Sequence, residues 1–91
     1  MELSPLLDAA KKGDLSQLKK LSEDDYDINE TVKNGVTALI LAAENNQAEV
    51  VDFLLDEGAD VNATTTMGGT AVSRAAENGH VDVIQKLLDH G

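Results

Sequence analysis

"GVTALILAAENNQAEVVDFLLDEGADVNA", residues 35 to 63, holds the pattern that decides the fold. Thr37 is a good N-cap, and the run from Ala38 to Glu44 favours helix. Asn46 then tolerates the left-handed conformation that closes a helix. Val50, Val51, Leu54 and Leu55 fall at helical spacing and form the apolar face of a second short helix, which Gly58 ends. An extended arm, "ADVNATTTMGG", follows; its Thr run favours strand, and Gly68-Gly69 permits a tight turn.

Moving outward, the same pattern returns 33 residues away on both sides. "TALILAAENN" lands on "TAVSRAAENG", and "LLDAAKKG" lands on "LILAAENN". Between residues 37–58 and 70–91, 11 of 22 positions are identical, whereas between 4–33 and 37–66 only 7 of 30 are, so the first unit has diverged. A gapless period of this length signals stacked units rather than one irregular domain. Ser4 followed by Pro5, and Thr70, repeat the helix start; Gly13 and Gly79 repeat the stop. Asp14 with Gln17 three residues on has the pattern of a capping box for the first unit's second helix. Gly91 stands where Gly58 ends the middle unit's second helix. The paired alanines Ala9-Ala10, Ala42-Ala43 and Ala75-Ala76 let neighbouring first helices approach closely.

With the period, the glycine placement and "GADVN" in view, the chain resembles ankyrin repeats from residue 4 to residue 91. The resemblance implies an all-α repeat solenoid, with stacked helix-turn-helix ankyrin repeats carrying short β-hairpin-like arms. One domain over residues 1–91 is expected: an N-terminal capping repeat at 1–33, a full repeat at 34–66 and an incomplete third at 67–91. The chain departs from the family's Thr-Pro-Leu-His element, reading "SPLL", "TALI" and "TAVS". In the family that His ties neighbouring turns together, so its absence bears on rigidity and not on the fold. Asn29 and Asn62 hold the asparagines of "DIN" and "DVN", which in the family bridge the connector backbone.

The most acidic stretch, "SEDDYDINE" at 22–30, is therefore a connector between units. It lacks the turn Gly and the downstream bidentate Glu of a twelve-residue calcium loop. Net charge is −10, which repels nucleic acid and anionic membrane surfaces and attracts a basic patch on a partner. No cysteine is present, so thiolate catalysis and Cys-ligated zinc are excluded. No basic start precedes an apolar run, and no apolar stretch reaches membrane-spanning length. The sequence reads as intracellular and cytoplasmic, with no catalytic group, cofactor or metal expected: His80 and His90 are its two histidines, and "MGGT" lacks the Lys of a phosphate-binding loop.

Ends matter in a stack, because end units have one neighbour and inner units have two. Asp8, Gln17, Lys20 and Ser22 stand where the middle unit has Leu41, Val50, Phe53 and Leu55, so the first unit reads as a cap. Ser73, Arg74 and Lys86 also replace apolar residues, yet Val83, Ile84, Leu87 and Leu88 remain apolar. The third unit is thus open to three readings: part of a longer stack, homo-oligomerisation through Val83, Leu87 and Leu88, or a minimal stack sufficient in itself. Arg74 either lays its stem on the stack with its head in water, or anchors an acidic residue of a partner.

Functionally, the resemblance implies a non-catalytic protein–protein interaction module, or scaffold, that binds a protein partner on its concave face and arm tips. The candidate contacts are Lys33, Asn34 and Val36 in the first arm and Thr66, Met67 and Gly69 in the second. From the first helices come Lys11, Lys12, Glu44, Asn45, Glu77 and Asn78. Met67 either meets the partner or packs on its neighbouring arm.

Overall fold

A computed structural model describes residues 3–90 of the chain. The expected helix stop at Gly91 lies outside them. Six α-helices run in order: α1 (Pro5–Lys12), α2 (Leu15–Leu21), α3 (Ala38–Glu44), α4 (Ala48–Asp56), α5 (Ala71–Glu77) and α6 (Val81–His90). They form three antiparallel pairs, and the pairs stack. The first helices pack in a row, α1 on α3 and α3 on α5. The second helices form the outer row, α2 on α4 and α4 on α6.

Each start has the chemistry its sequence announces. The hydroxyls of Ser4, Thr37 and Thr70 accept from the backbone N–H groups of Leu7, Ile40 and Ser73. At Thr70 the cap is reciprocal, since the Ser73 hydroxyl also accepts from the Thr70 N–H at 2.8 Å. The box expected at Asp14 and Gln17 is half made. The Asp14 carboxylate accepts from the Gln17 N–H at 3.1 Å, but the Asp14 N–H is already committed to the Ala9 carbonyl.

The stops follow equally. Gly13, Asn46 and Gly79 all have positive φ, at 79°, 59° and 70°. Gly13 is held there by a second constraint: a Cβ on it would lie 2.3 Å from the Gln47 side-chain oxygen. That glutamine is occupied, donating from Nε2 to the Lys11 carbonyl at 3.1 Å. One unit further on, His80 repeats the link, with its Nε2 2.9 Å from the Glu44 carbonyl. A carbonyl only accepts, so Nε2 carries the proton. These donors tie each unit to the one before it.

The core is aliphatic and continuous. Leu7, Leu18, Leu39, Leu54, Leu87, Val50, Val51 and Val83 are its largest fully buried side chains. Ala10, Ala42, Ala43 and Ala75 are fully buried at the close approach of the first helices. Val83 and Leu87 thus correct an expectation. They are 0% and 1% exposed and belong to the core that α6 shares with α4 and α5. Of the three residues proposed for self-association, only Leu88 is presented outward, at 61% exposure.

The connectors use the residues of "DIN". Asn29 Oδ1 accepts from the Asp60 N–H at 2.7 Å, and its Nδ2 donates to the Gly58 carbonyl at 3.5 Å. Asp27 accepts from the Asn29 N–H, and Asp60 does the same for Asn62. Glu30 accepts from the Ser4 hydroxyl at 2.8 Å. In the acidic stretch Asp27 thus closes its own turn, and Glu30 ties the connector to the start of α1. Among the described residues, no cluster of His, Cys, Asp or Glu has the arrangement to hold a metal ion.

Candidate functional site

Each of the two arms is a tight turn rather than a strand hairpin. In the first, the Val32 N–H donates to the Val36 carbonyl at 3.0 Å, an isolated bridge around the turn Lys33–Gly35. In the second, the Thr65 N–H donates to the Gly69 carbonyl at 2.8 Å. The Thr65 hydroxyl, buried, accepts from the Gly69 N–H at 3.0 Å and so closes the turn a second time. Positive φ at Asn34 (70°), Gly35 (76°) and Gly68 (84°) bends the chain back before a ladder can extend. The Thr run does not become a strand because the Thr65 N–H and hydroxyl are spent inside the turn, which leaves no continuous ladder. One bond joins the arms to each other, from the Thr66 N–H to the Asn34 carbonyl at 2.9 Å.

These turns set which side chains are free. Lys33, Asn34, Thr66 and Met67 are exposed, with Met67 at 87%. Met67 therefore stands clear of the neighbouring arm. Val36, grouped with the arm contacts from sequence, is half-buried and packs on the core. Gly69 lies beside Arg74, whose Nε is 3.1 Å from where a Gly69 Cβ would sit.

The first helices add a second row. Glu44 and Glu77 stand one unit apart, as do Asn45 and Asn78. Both asparagines also have a local duty: each donates from Nδ2 at 2.8 Å to the carbonyl four residues earlier, Leu41 or Arg74. They close their helices while remaining exposed. Arg74 lies between the rows. Its Nη1 is 3.8 Å from carboxylate oxygens of both Glu44 and Glu77, and its side chain is one-third exposed. Its acidic partners are thus found within the chain. Lys12 is exposed and pairs with Asp8 at 3.1 Å, one turn back on α1. At one position of the first helices, Lys11 of the first unit thus gives way to Glu44 and Glu77 in the second and third.

On the outer row the charges pair differently. Lys86 of α6 donates to Asp52 of α4, which raises the ammonium pKa through that hydrogen bond first and the charge of Asp52 after it. His90 also reaches Asp52, at 3.7 Å. Tyr26, the one tyrosine, donates to Glu57 at 3.4 Å. Burial first, then the Glu57 charge and its hydrogen bond, push the phenol pKa up. Sequence reasoning overlooked both contacts because they join residues about one repeat apart whose side chains match no motif.

A stack of short helix pairs, tied by a Gln or His to the preceding carbonyl and bridged by Asn29 in the first connector, is a specific architecture. The family model for ankyrin repeats matches residues 6–91 in 3 copies. The chain belongs to the ankyrin repeat family. Its structure is similar to the crystal structure of the human ASB11 ankyrin repeat domain, with a TM-score of 0.92 and 32% sequence identity. The alignment covers 98% of this chain and 40% of that one. No curated protein sequence matches this ankyrin chain. Ankyrin repeats are in general protein–protein interaction modules and in general not catalytic. No helix among the described residues is long and apolar enough to cross a membrane.

Proposed function

We propose that this chain is a non-catalytic binding module that holds a protein partner on the concave face and arm tips. The carrying observation is a division of labour along the repeat. Positions that stack, such as Ala42, Ala43, Val51 and Leu54, are fully buried. Positions with no stacking role, including Lys33, Asn34, Thr66 and Met67, are exposed side by side on consecutive arms. Glu44, Asn45, Glu77 and Asn78 continue that surface along α3 and α5. A flexible, polarizable side chain such as Met67 adapts to a partner surface at small cost. Val36 drops out of this set, since its side chain serves the core. The charge of −10 favours a partner that carries a basic patch and makes association faster at low salt.

The test is a pair of variants. Lys33→Ala with Met67→Ser alters exposed arm tips and leaves the core untouched. Lys19→Ala with Asp56→Ala alters the exposed outer row to the same extent. Crosslinking pull-downs with both variants and the parent chain should show a partner that the arm variant loses and the outer-row variant keeps. A partner kept by the arm variant and lost by the outer-row variant would refute the concave face as the site.

A further inference from the structure

Met67 stands at the tip of the second arm, 87% exposed. Its counterpart 33 residues earlier is Asn34, at the tip of the first arm. The second arm lies against the first. The Thr66 N–H donates to the Asn34 carbonyl at 2.9 Å, and a Cβ on Gly35 would meet the Thr64 carbonyl oxygen at 3.3 Å. Asn34 is exposed in spite of that neighbour. Exposure at this position is therefore set by the arm turn itself, and not by whether another arm follows.

The turn that carries Met67 closes without its side chain. The Thr65 N–H donates to the Gly69 carbonyl, and the Thr65 hydroxyl accepts from the Gly69 N–H. The Gly68 N–H donates to the Thr65 carbonyl at 2.9 Å, and the positive φ of Gly68 turns the chain. Among the described residues, those of the apolar core and those packed against it do not include Met67. Its thioether faces water and has no packing duty.

Sulfur in this chain is confined to Met1 and Met67, since there is no cysteine. Met1 lies outside the described residues. Where a thiolate is present it is the usual target of peroxides; here a thioether is the soft nucleophile that is left. A thioether has no proton to lose, so it needs no neighbouring base, and access governs its reaction.

We infer that Met67 is an oxidation site for hydrogen peroxide and other small peroxides, and that its sulfoxide remakes the surface of the second arm while the stack stays folded. A sulfur lone pair attacks one peroxide oxygen. The S–O bond forms as the O–O bond breaks, and the departing hydroxide takes the proton from the new S–OH, leaving a sulfoxide and water. Sulfur gives up two electrons, and the peroxide takes them. A methionine inside a core disrupts packing when it is oxidised, because a polar group replaces apolar contacts. Met67 has no such contacts to lose. A flexible apolar tip becomes a polar, chiral hydrogen-bond acceptor beside Lys33, Asn34 and Thr66. By its place the site bears on the concave-face proposal, but it does not depend on it.

The test treats the whole chain with dilute hydrogen peroxide, stops the reaction with catalase and follows it by mass spectrometry. Trypsin leaves Met67 in residues 34–74 and Met1 in residues 1–11, so the two are read separately. Met67 should gain one oxygen at a rate within about threefold of N-acetyl-methionine amide. The urea midpoint should match that of the untreated chain. Amide NMR shifts should be confined to residues 65–69 and the facing turn at 33–35. Methionine sulfoxide reductases of both epimer specificities should remove the oxygen and restore the shifts. Three results would overturn the inference. One is a Met67 rate more than about tenfold below the model amide, which means a covered thioether. Another is a lowered urea midpoint, or shifts that spread into α3–α6, which mean that the side chain serves the fold. The third is the same arm shifts in peroxide-treated Met67→Leu, which place the oxidised atom elsewhere.

Discussion

Leu55 and Leu88 occupy the same position of consecutive units, yet one is 9% exposed and the other 61%. Replacing each by Ala, one at a time, measures what a following unit contributes. The change removes three carbons, worth about 2.4 kcal/mol when fully covered, at about 0.8 kcal/mol each. Scaled by the covered fraction, the transfer loss is about 2 kcal/mol at Leu55 and about 1 kcal/mol at Leu88. At Leu55 a cavity adds to the loss and brings it to about 3 kcal/mol, because packed neighbours relax only in part. At Leu88 water enters freely and no cavity forms. Alanine's higher helix propensity recovers a few tenths of a kcal/mol at both sites. The two variants should differ by about 2 kcal/mol, or roughly 8–16 °C in Tm for a domain of this size. Urea unfolding followed by far-UV circular dichroism gives both values, provided the m-values match the parent. Equal losses at the two sites would refute the reasoning, since they would mean that Leu88 is as covered in solution as Leu55.

Two further outcomes test the ties between units. His80→Ala, which removes the donor to the Glu44 carbonyl, should cost about 1 kcal/mol, whereas His80→Gln, the residue type at the matching position 47, should stay within about 0.5 kcal/mol by the same urea assay. Tyr26 is the sole tyrosine and the chain has no Trp, so absorbance at alkaline pH reports one phenol. Its midpoint should lie above 10.0 in the folded chain, fall in part in Glu57→Gln, and stay raised for the remainder because burial is the larger cause. The folded phenol holds its proton more tightly than the unfolded one. Its contribution to stability is therefore full below the unfolded pKa and is lost as pH rises through the higher folded value.

What was legible in the sequence was whatever repeats. The caps at Ser4, Thr37 and Thr70 and the left-handed stops at Gly13, Asn46 and Gly79 are local, and each is fixed by one side chain's reach or one residue's freedom. The Asn29 bridge followed from the family pattern. The arms were not legible, because strand propensity describes a half-buried pleated surface, and the Thr run has no partner strand. The Thr65 hydroxyl and the positive φ of Gly68 decide that turn instead.

The candidate site was legible in part, and the reason lies in direction. Val83, Ile84, Leu87 and Leu88 form one apolar run, and periodicity alone assigns them to one face. Comparison of the copies separates them. Gln17, Val50 and Val83 share a position; it is polar and exposed in the first unit and apolar and buried in the other two. That position faces backward along the stack. Leu55 and Leu88 share another, buried in the second unit, on which the third packs, and exposed in the third. That position faces forward. A repeat sequence thus encodes the two sides of each unit separately, and the polar substitutions of an end unit show which side is which. On the first unit's backward side stand Asp14 and Gln17, both exposed. On the third unit's forward side stand Ile84, half-buried, and Leu88, exposed.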